Sequence, residues 1–207
     1  MSHYSCVAIP APGGSLEQLM ARYDENREVE PHMIKCGCAR SAHIDACSKA
    51  LNDKFGPGYM DQKRKEVSGA DITDEAWLAL IAPYIAERDR LMALPEPPPD
   101  GACEDCHGTG QRETTRNPDS KWDWFVIGGR WNGAFGGKNE TTVGEILACG
   151  KIPFAIVTPD GWAERGEMGW WGSVSNEKPD GEWEPAAKSL LGKLDPATKA
   201  FVIDCHI

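Results

Sequence analysis

The side chains best suited to chemistry in this sequence are four cysteines in two tight pairs. Cys36-Gly-Cys38 and Cys103-Glu-Asp-Cys106 lie far apart, and the second pair runs straight into His107-Gly-Thr-Gly110. Each pair offers two thiolates to one tetrahedral ion, and four sulfurs are a donor set suited to Zn²⁺. The glycines after Cys106 permit a tight turn whose amides point at metal-bound sulfur. Four sulfur ligands leave no open coordination position, so the expected Zn²⁺ is structural. Meeting at one ion, the pairs clip residue 36 to residue 106. Rival ligands are His43 and Cys47, four apart on an expected helix, and His107. Of these, Cys47 reads as core and His43 as exposed.

A second concentration of chemistry is Asn117-Pro-Asp-Ser-Lys-Trp-Asp-Trp-Phe-Val-Ile-Gly-Gly-Arg-Trp131. Read as a strand over 122–127, it puts Trp122, Trp124 and Val126 on one side and Asp123, Phe125 and Ile127 on the other. An Asp in such company needs a partner, and Arg130 or Lys121 is the obvious one. Gly128-Gly129 lets another backbone or a ligand approach closely. One reading is a pocket in which Trp122 or Trp124 stacks a ligand. Asn117, Lys121 and Arg130 would then hold its polar groups, and Asp123 or His206 would move a proton. The other is a tryptophan core, a structural Asp123–Arg130 pair and a turn at Asn117. At the end of the chain, Asp204 and His206 share one strand face, so Cys205 cannot form a dyad with His206. His3, on the opposite terminal strand, is within reach of both if the two strands are neighbours. Exposed polar positions at a sheet edge are the simpler reading of these three.

These groups need a scaffold, and 207 residues with 41% apolar content supply one domain with a real core. No apolar run approaches the length of a membrane-spanning helix. The opening Met1-Ser-His-Tyr-Ser lacks the features of a signal peptide. Eight cysteines without a secretion signal predict a reducing, cytoplasmic setting. A net charge of −10 argues against nucleic acid as the main partner. No phosphate loop, dinucleotide fingerprint, Gly-x-Ser-x-Gly elbow, His-Glu-x-x-His or zinc-deaminase signature is present.

The patterning predicts a strand over 3–11 and a short helix capped by Ser15 with Gln18. Helices follow over 41–55, capped by Ser41, and from Thr73 to about Leu94, where Pro83 should kink or split the helix. The proline-rich run from Pro95 delivers the second cysteine pair. Residues 153–168 predict a hairpin turning at Pro159-Asp-Gly, 184–194 a helix, and 200–207 a closing strand. The expected fold is α+β: a single domain of 1–207 with a mostly antiparallel sheet and helices on one face. Residues 32–112 form a zinc-stapled helical insertion.

The sequence resembles a group of uncharacterised proteins carried by bacteriophages and bacteria. The resemblance rests on Cys36-Gly-Cys38, Cys103-Glu-Asp-Cys-His-Gly-Thr-Gly110, Asn117-Pro-Asp-Ser-Lys-Trp-Asp-Trp124, Gly128-Gly-Arg-Trp131, Pro153-Phe-Ala-Ile-Val-Thr-Pro-Asp-Gly161 and Asp204-Cys-His-Ile207. It implies a bacterial or phage-infected host cell and brings no activity with it. Residues 103–110 alone resemble half of a DnaJ-type zinc centre, in single copy, which carries no chaperone activity over.

Two functions follow. The first is a zinc-stabilised protein that binds or acts on a small polar, nucleotide-like ligand at 117–131, with Asp123, Arg130 and His206 as the chemical groups. The second is an acidic interaction module that engages a basic host protein.

Overall fold

A computed structural model describes residues 2–69 and 72–207. In chain order the elements are β1 (His3–Ala8), α1 (Leu16–Met20), β2 (Glu28–Lys35), α2 (Cys38–Phe55), α3 (Tyr59–Glu66), α4 (Asp74–Met92), β3 (Gln111–Arg116) and β4 (Trp124–Ile127). There follow β5 (Glu140–Thr142), α5 (Val143–Cys149), β6 (Ala155–Thr158), β7 (Gly161–Glu164), β8 (Glu167–Met168), β9 (Val174–Ser175), α6 (Asp180–Leu191) and β10 (Lys199–His206). The chain divides into two compact units, one from Pro31 to Thr114 and the other from the segments before and after it. Strands β2 and β3, which pair with each other, carry the chain out of the larger unit and back.

The larger unit is built on a mixed, mostly antiparallel sheet of order β4-β10-β1-β6-β7, with β5 also paired to β10. Only β1 and β6 run parallel. The terminal strands lie side by side, with His3 opposite His206 and Tyr4 opposite Cys205. Alternation sorts β1 between two cores. Tyr4, Cys6 and Ala8 pack with Leu16, Met20, Tyr23 and Trp122, so the short α1 closes this face. Val7 and Ile9 point the other way, into a core made with α5 and α6 through Val143, Ile146, Trp183, Ala187 and Leu191. A strand buried on both faces is apolar throughout its middle, as Cys6-Val-Ala-Ile9 is. Ser15 and Gln18 form the expected capping box at α1.

In the smaller unit α2 packs on α4 through Cys47, Leu51 and Leu91. Several elements depart from expectation. Helix α2 starts at Cys38 rather than at Ser41, with Gly37 as its N-cap. Helix α4 runs unsplit through Pro83. Helix α3 does meet expectation, since the basic run Lys63-Arg-Lys65 reads as a solvated helix face and the helix has no buried residue.

Candidate metal centre and histidine–aspartate cluster

Cys36, Cys38, Cys103 and Cys106 converge, with their four sulfurs all within 4.8 Å of one another. The Sγ atoms of Cys36 and Cys103 are 3.7 Å apart and those of Cys38 and Cys106 are 3.6 Å apart. A tetrahedral ion with metal–sulfur bonds of about 2.3 Å sets neighbouring sulfurs roughly 3.8 Å apart, so the cluster has the dimensions of a tetrathiolate site. The local backbone explains the fit. The Cys36 amide donates to the Gly110 carbonyl at 2.9 Å, tying the two cysteine loops together. His107 and Gly108 both adopt positive φ, and His107 N–H closes on the Cys103 carbonyl at 2.8 Å. At Gly110, φ is +76° and a Cβ would lie 2.8 Å from the Pro99 ring, so glycine is required there on two counts.

The thiols are electrostatically unequal. The Cys38 amide favours the Cys36 thiolate, but burial and the three neighbouring thiols outweigh it and push Cys36 up to about 12. For Cys106, burial opposes ionisation, yet hydrogen bonds from the Gly110 and Gly108 amides and from Cys38 and Cys103 bring it down to about 7. The anticipated amide-to-sulfur turn is thus present. Cys38 also occupies the first turn of α2, whose N-cap provides no side-chain acceptor, and a thiolate there faces the positive end of the helix. Bound sulfurs are thiolates, so metal entry displaces protons. Competition against a chelator is therefore expected to show affinity rising from pH 6 to pH 8. Affinity independent of pH over this range would be incompatible with thiol ligands.

The rival ligands stand outside the set. His107 is exposed. His43, expected at the surface, is buried, with Nε2 3.7 Å from the Cys47 sulfur one turn further along α2.

The second cluster belongs to the larger unit. Asp123 does not pair with Arg130 or Lys121 but with His206: Oδ1 accepts from Nδ1 at 2.7 Å and from the Trp124 amide at 2.8 Å. Asp204 accepts from His3 Nδ1 at 3.1 Å through one oxygen and from the Arg130 amide at 3.0 Å through the other. These groups are not exposed edge residues, since Asp204 and His206 are only 2% and 4% exposed. The two imidazole rings meet edge-on at 4.9 Å, and Trp124 stacks on His206 at 4.8 Å. With Nδ1–H given to Asp123, a neutral His206 keeps its lone pair on Nε2. That nitrogen is buried without a hydrogen-bond partner among the described residues.

The other members of the 117–131 run divide between structure and surface. Asn117 is buried and bonds the Arg22 and Asp24 carbonyls at 2.7 and 3.0 Å, which makes it a turn anchor. Lys121 pairs with Glu164 at 2.6 Å. Trp122 belongs to the core and meets Phe125 edge-on, while Trp124 is 44% exposed; a bend at Asp123 breaks the strand and separates the two indoles. Arg130 is exposed, with no ion pair among the described residues. The space that a Cβ would take at Gly128-Gly129 is filled by the chain's own side chains: a Cβ on Gly129 would fall 2.5 Å from the Asp204 carboxylate, and one on Gly128 would collide with the Asn139 amide.

Sequence reasoning passed over Trp170 and Trp171, which are 66% and 85% exposed on the turn between β8 and β9. The available signal was two adjacent large indoles between Gly169 and Gly172. No family model, curated protein or solved structure matches the chain. No helix among the described residues is long and apolar enough to cross a membrane.

Proposed function

We propose that the chain is a zinc protein whose tetrathiolate ion is structural, and that it binds or acts on a small polar ligand at the Asp123–His206 pair. The observation that carries this reading is the 2.7 Å hydrogen bond from His206 Nδ1 to Asp123, which fixes the ring while Nε2 has no partner among the described residues. A carboxylate that orients an imidazole in this way prepares the other nitrogen to accept a proton from a hydroxyl or amine. Exclusion of water from Nε2 strengthens any hydrogen bond a ligand makes there. Trp124, stacked on the ring yet half open to solvent, is the part of its cover that can yield, and its face suits a planar ligand. Arg130, exposed nearby in sequence, is the group that would hold a phosphate.

Zinc follows from the donor set, because four thiolates in a tetrahedral cluster select it over harder ions. With every position filled by sulfur, the ion supplies cross-linking rather than chemistry.

Calorimetric titration with nucleosides, mononucleotides and simple polyols tests the ligand site. The wild type should bind at least one of these, and Asp123→Asn should weaken it tenfold or more while the zinc content and unfolding midpoint stay near wild type. Arg130→Ala should weaken nucleotides and spare nucleosides. If no compound binds, or if Asp123→Asn binds as well as wild type, the pair is a structural one.

A further inference from the structure

The turn between β8 and β9 carries a feature the ligand site does not use. Trp170 and Trp171 are adjacent and largely exposed, although an indole is among the costliest side chains to leave in water. Trp171 also holds a left-handed conformation, φ 62° and ψ 27°, which is a genuine outlier for a bulky residue. Strain of this kind persists only where the surroundings impose it, and here they do. Ser2, itself buried, donates from Oγ to the Gly169 carbonyl at 2.6 Å and accepts the Gly172 amide at 2.7 Å. The Gly169 amide closes on the Ser173 carbonyl at 2.7 Å, and Ser173 Oγ returns to the Trp170 carbonyl at 2.8 Å. The two indoles are thus presented to solvent on a clamped backbone, with none of the burial that normally offsets such strain.

The same hairpin carries a carboxylate. Glu167, on β8, accepts from the neutral Asn176 and Ser175 side chains and has no ion pair among the described residues. It lines a cavity of about 350 Å³ together with Tyr4, Lys121, Glu164 and Met168, where the only lysine is already paired to Glu164. Exposed indole faces attract cations through the ring quadrupole, and arginine is the side chain that most often takes that place. A carboxylate without an ionic partner completes the recognition of a guanidinium or ammonium group.

We propose that the Trp170–Trp171 turn and Glu167 form a docking site for an arginine- or lysine-bearing segment of a basic protein. The net charge of −10 draws such a partner in, and the clamped indoles, being rigid before contact, lose little conformational freedom on binding.

The test uses the zinc-loaded 207-residue chain and labelled oligoarginine, oligolysine and oligoglutamate peptides of equal length, followed by fluorescence anisotropy. Oligoarginine should bind more tightly than oligolysine, oligoglutamate should not bind, and affinity should fall as salt rises. Trp171→Ala should weaken oligoarginine about threefold, and the double variant Trp170→Ala, Trp171→Ala about tenfold. Ser2→Ala should also weaken it with both indoles in place, because the turn is no longer held. Glu167→Gln should lower affinity, and Asp45→Asn, in the other unit, should not. Asp123→Asn should leave this binding unchanged, which separates it from the ligand site. If the double variant binds oligoarginine as wild type does, attraction is diffuse and the proposal fails. Binding to phosphatidylcholine vesicles but not to the peptides would also overturn it, in favour of a membrane surface.

Discussion

Stripping zinc from the loaded protein with a strong chelator is expected to abolish most of the helical signal of the Pro31–Thr114 unit and leave the sheet of the other unit folded. The smaller unit has little else to hold it. Its one apolar cluster is Cys47, Leu51 and Leu91, with Ala50, Phe55, Tyr84 and Met92 packed around them, and the other buried apolar side chains among its described residues are Ala39, Ile81 and the paired Cys36 and Cys106. Units with so small a core ordinarily need a staple. A structural zinc supplies about 10–16 kcal/mol of apparent binding energy, against a net stability of about 5–15 kcal/mol for a whole domain. The larger unit has two cores of its own, and none of their buried residues lies between Pro31 and Thr114. Far-ultraviolet circular dichroism should lose the share of α2, α3 and α4 and keep that of α1, α5 and α6, while near-ultraviolet dichroism follows the tryptophans, of which only Trp77 falls in the smaller unit. Cys106→Ser should reproduce chelation. Native mass spectrometry should give one ion per wild-type chain and none for the Cys36→Ser, Cys103→Ser variant. An ion retained by that variant, or helices that survive chelation, would exclude a structural tetrathiolate centre.

The convergence of the four cysteines was legible because cysteine spacing reports ligand geometry directly: two residues of separation at Cys36–Cys38 and three at Cys103–Cys106 suffice to present paired sulfurs. Alternation put Asp204 and His206 on one strand face, and the pairing of the terminal strands, which the sequence left as a condition, brings His3 to that face. What alternation does not report is whether a face is covered. Face-sharing polar residues read as solvent-exposed, whereas the Gly129–Arg130 turn and Trp124 bury them. The partner of Asp123 was misread for a related reason. Lys121 and Arg130 are close in sequence, but the strand bends at Asp123, and β4 pairs with β10 so that Trp124 lies opposite His206. A contact spanning 83 residues depends on that register. Helix α3 was legible only as a solvated face at Lys63-Arg-Lys65, because Tyr59-Met-Asp-Gln-Lys-Arg-Lys-Glu66 has no buried residue and so offers no apolar period that would set its bounds. Of the two outcomes expected at Pro83, a split does not occur: α4 runs on past the lost hydrogen bond while packing against α2.

A contrast between two glycines tests the buried cluster without touching a polar side chain. Gly129 has φ +51°, and an added Cβ would meet Asp204 Oδ2 at 2.5 Å; Gly137 has φ +81°, and nothing lies within 4 Å of its Cβ position. Alanine at either position incurs the left-handed penalty of about 1–2 kcal/mol. At Gly129 a second cost arises. The carboxylate of Asp204 must retreat, which breaks its bonds to His3 and to the Arg130 amide inside a closed site. Forcing a methyl into such a space adds about 1–3 kcal/mol. Denaturant unfolding should therefore show Gly129→Ala destabilised by about 2–5 kcal/mol and Gly137→Ala by only about 1–2 kcal/mol, at unchanged m-value. Because the displaced Asp204 orients His3, whose ring abuts His206, the Gly129 variant should also shift the histidine ring resonances in nuclear magnetic resonance spectra. The Gly137 variant should leave them in place. Equal destabilisation of the two variants would mean that the turn does not press on Asp204, and the closed histidine–aspartate cluster would lose its main physical support.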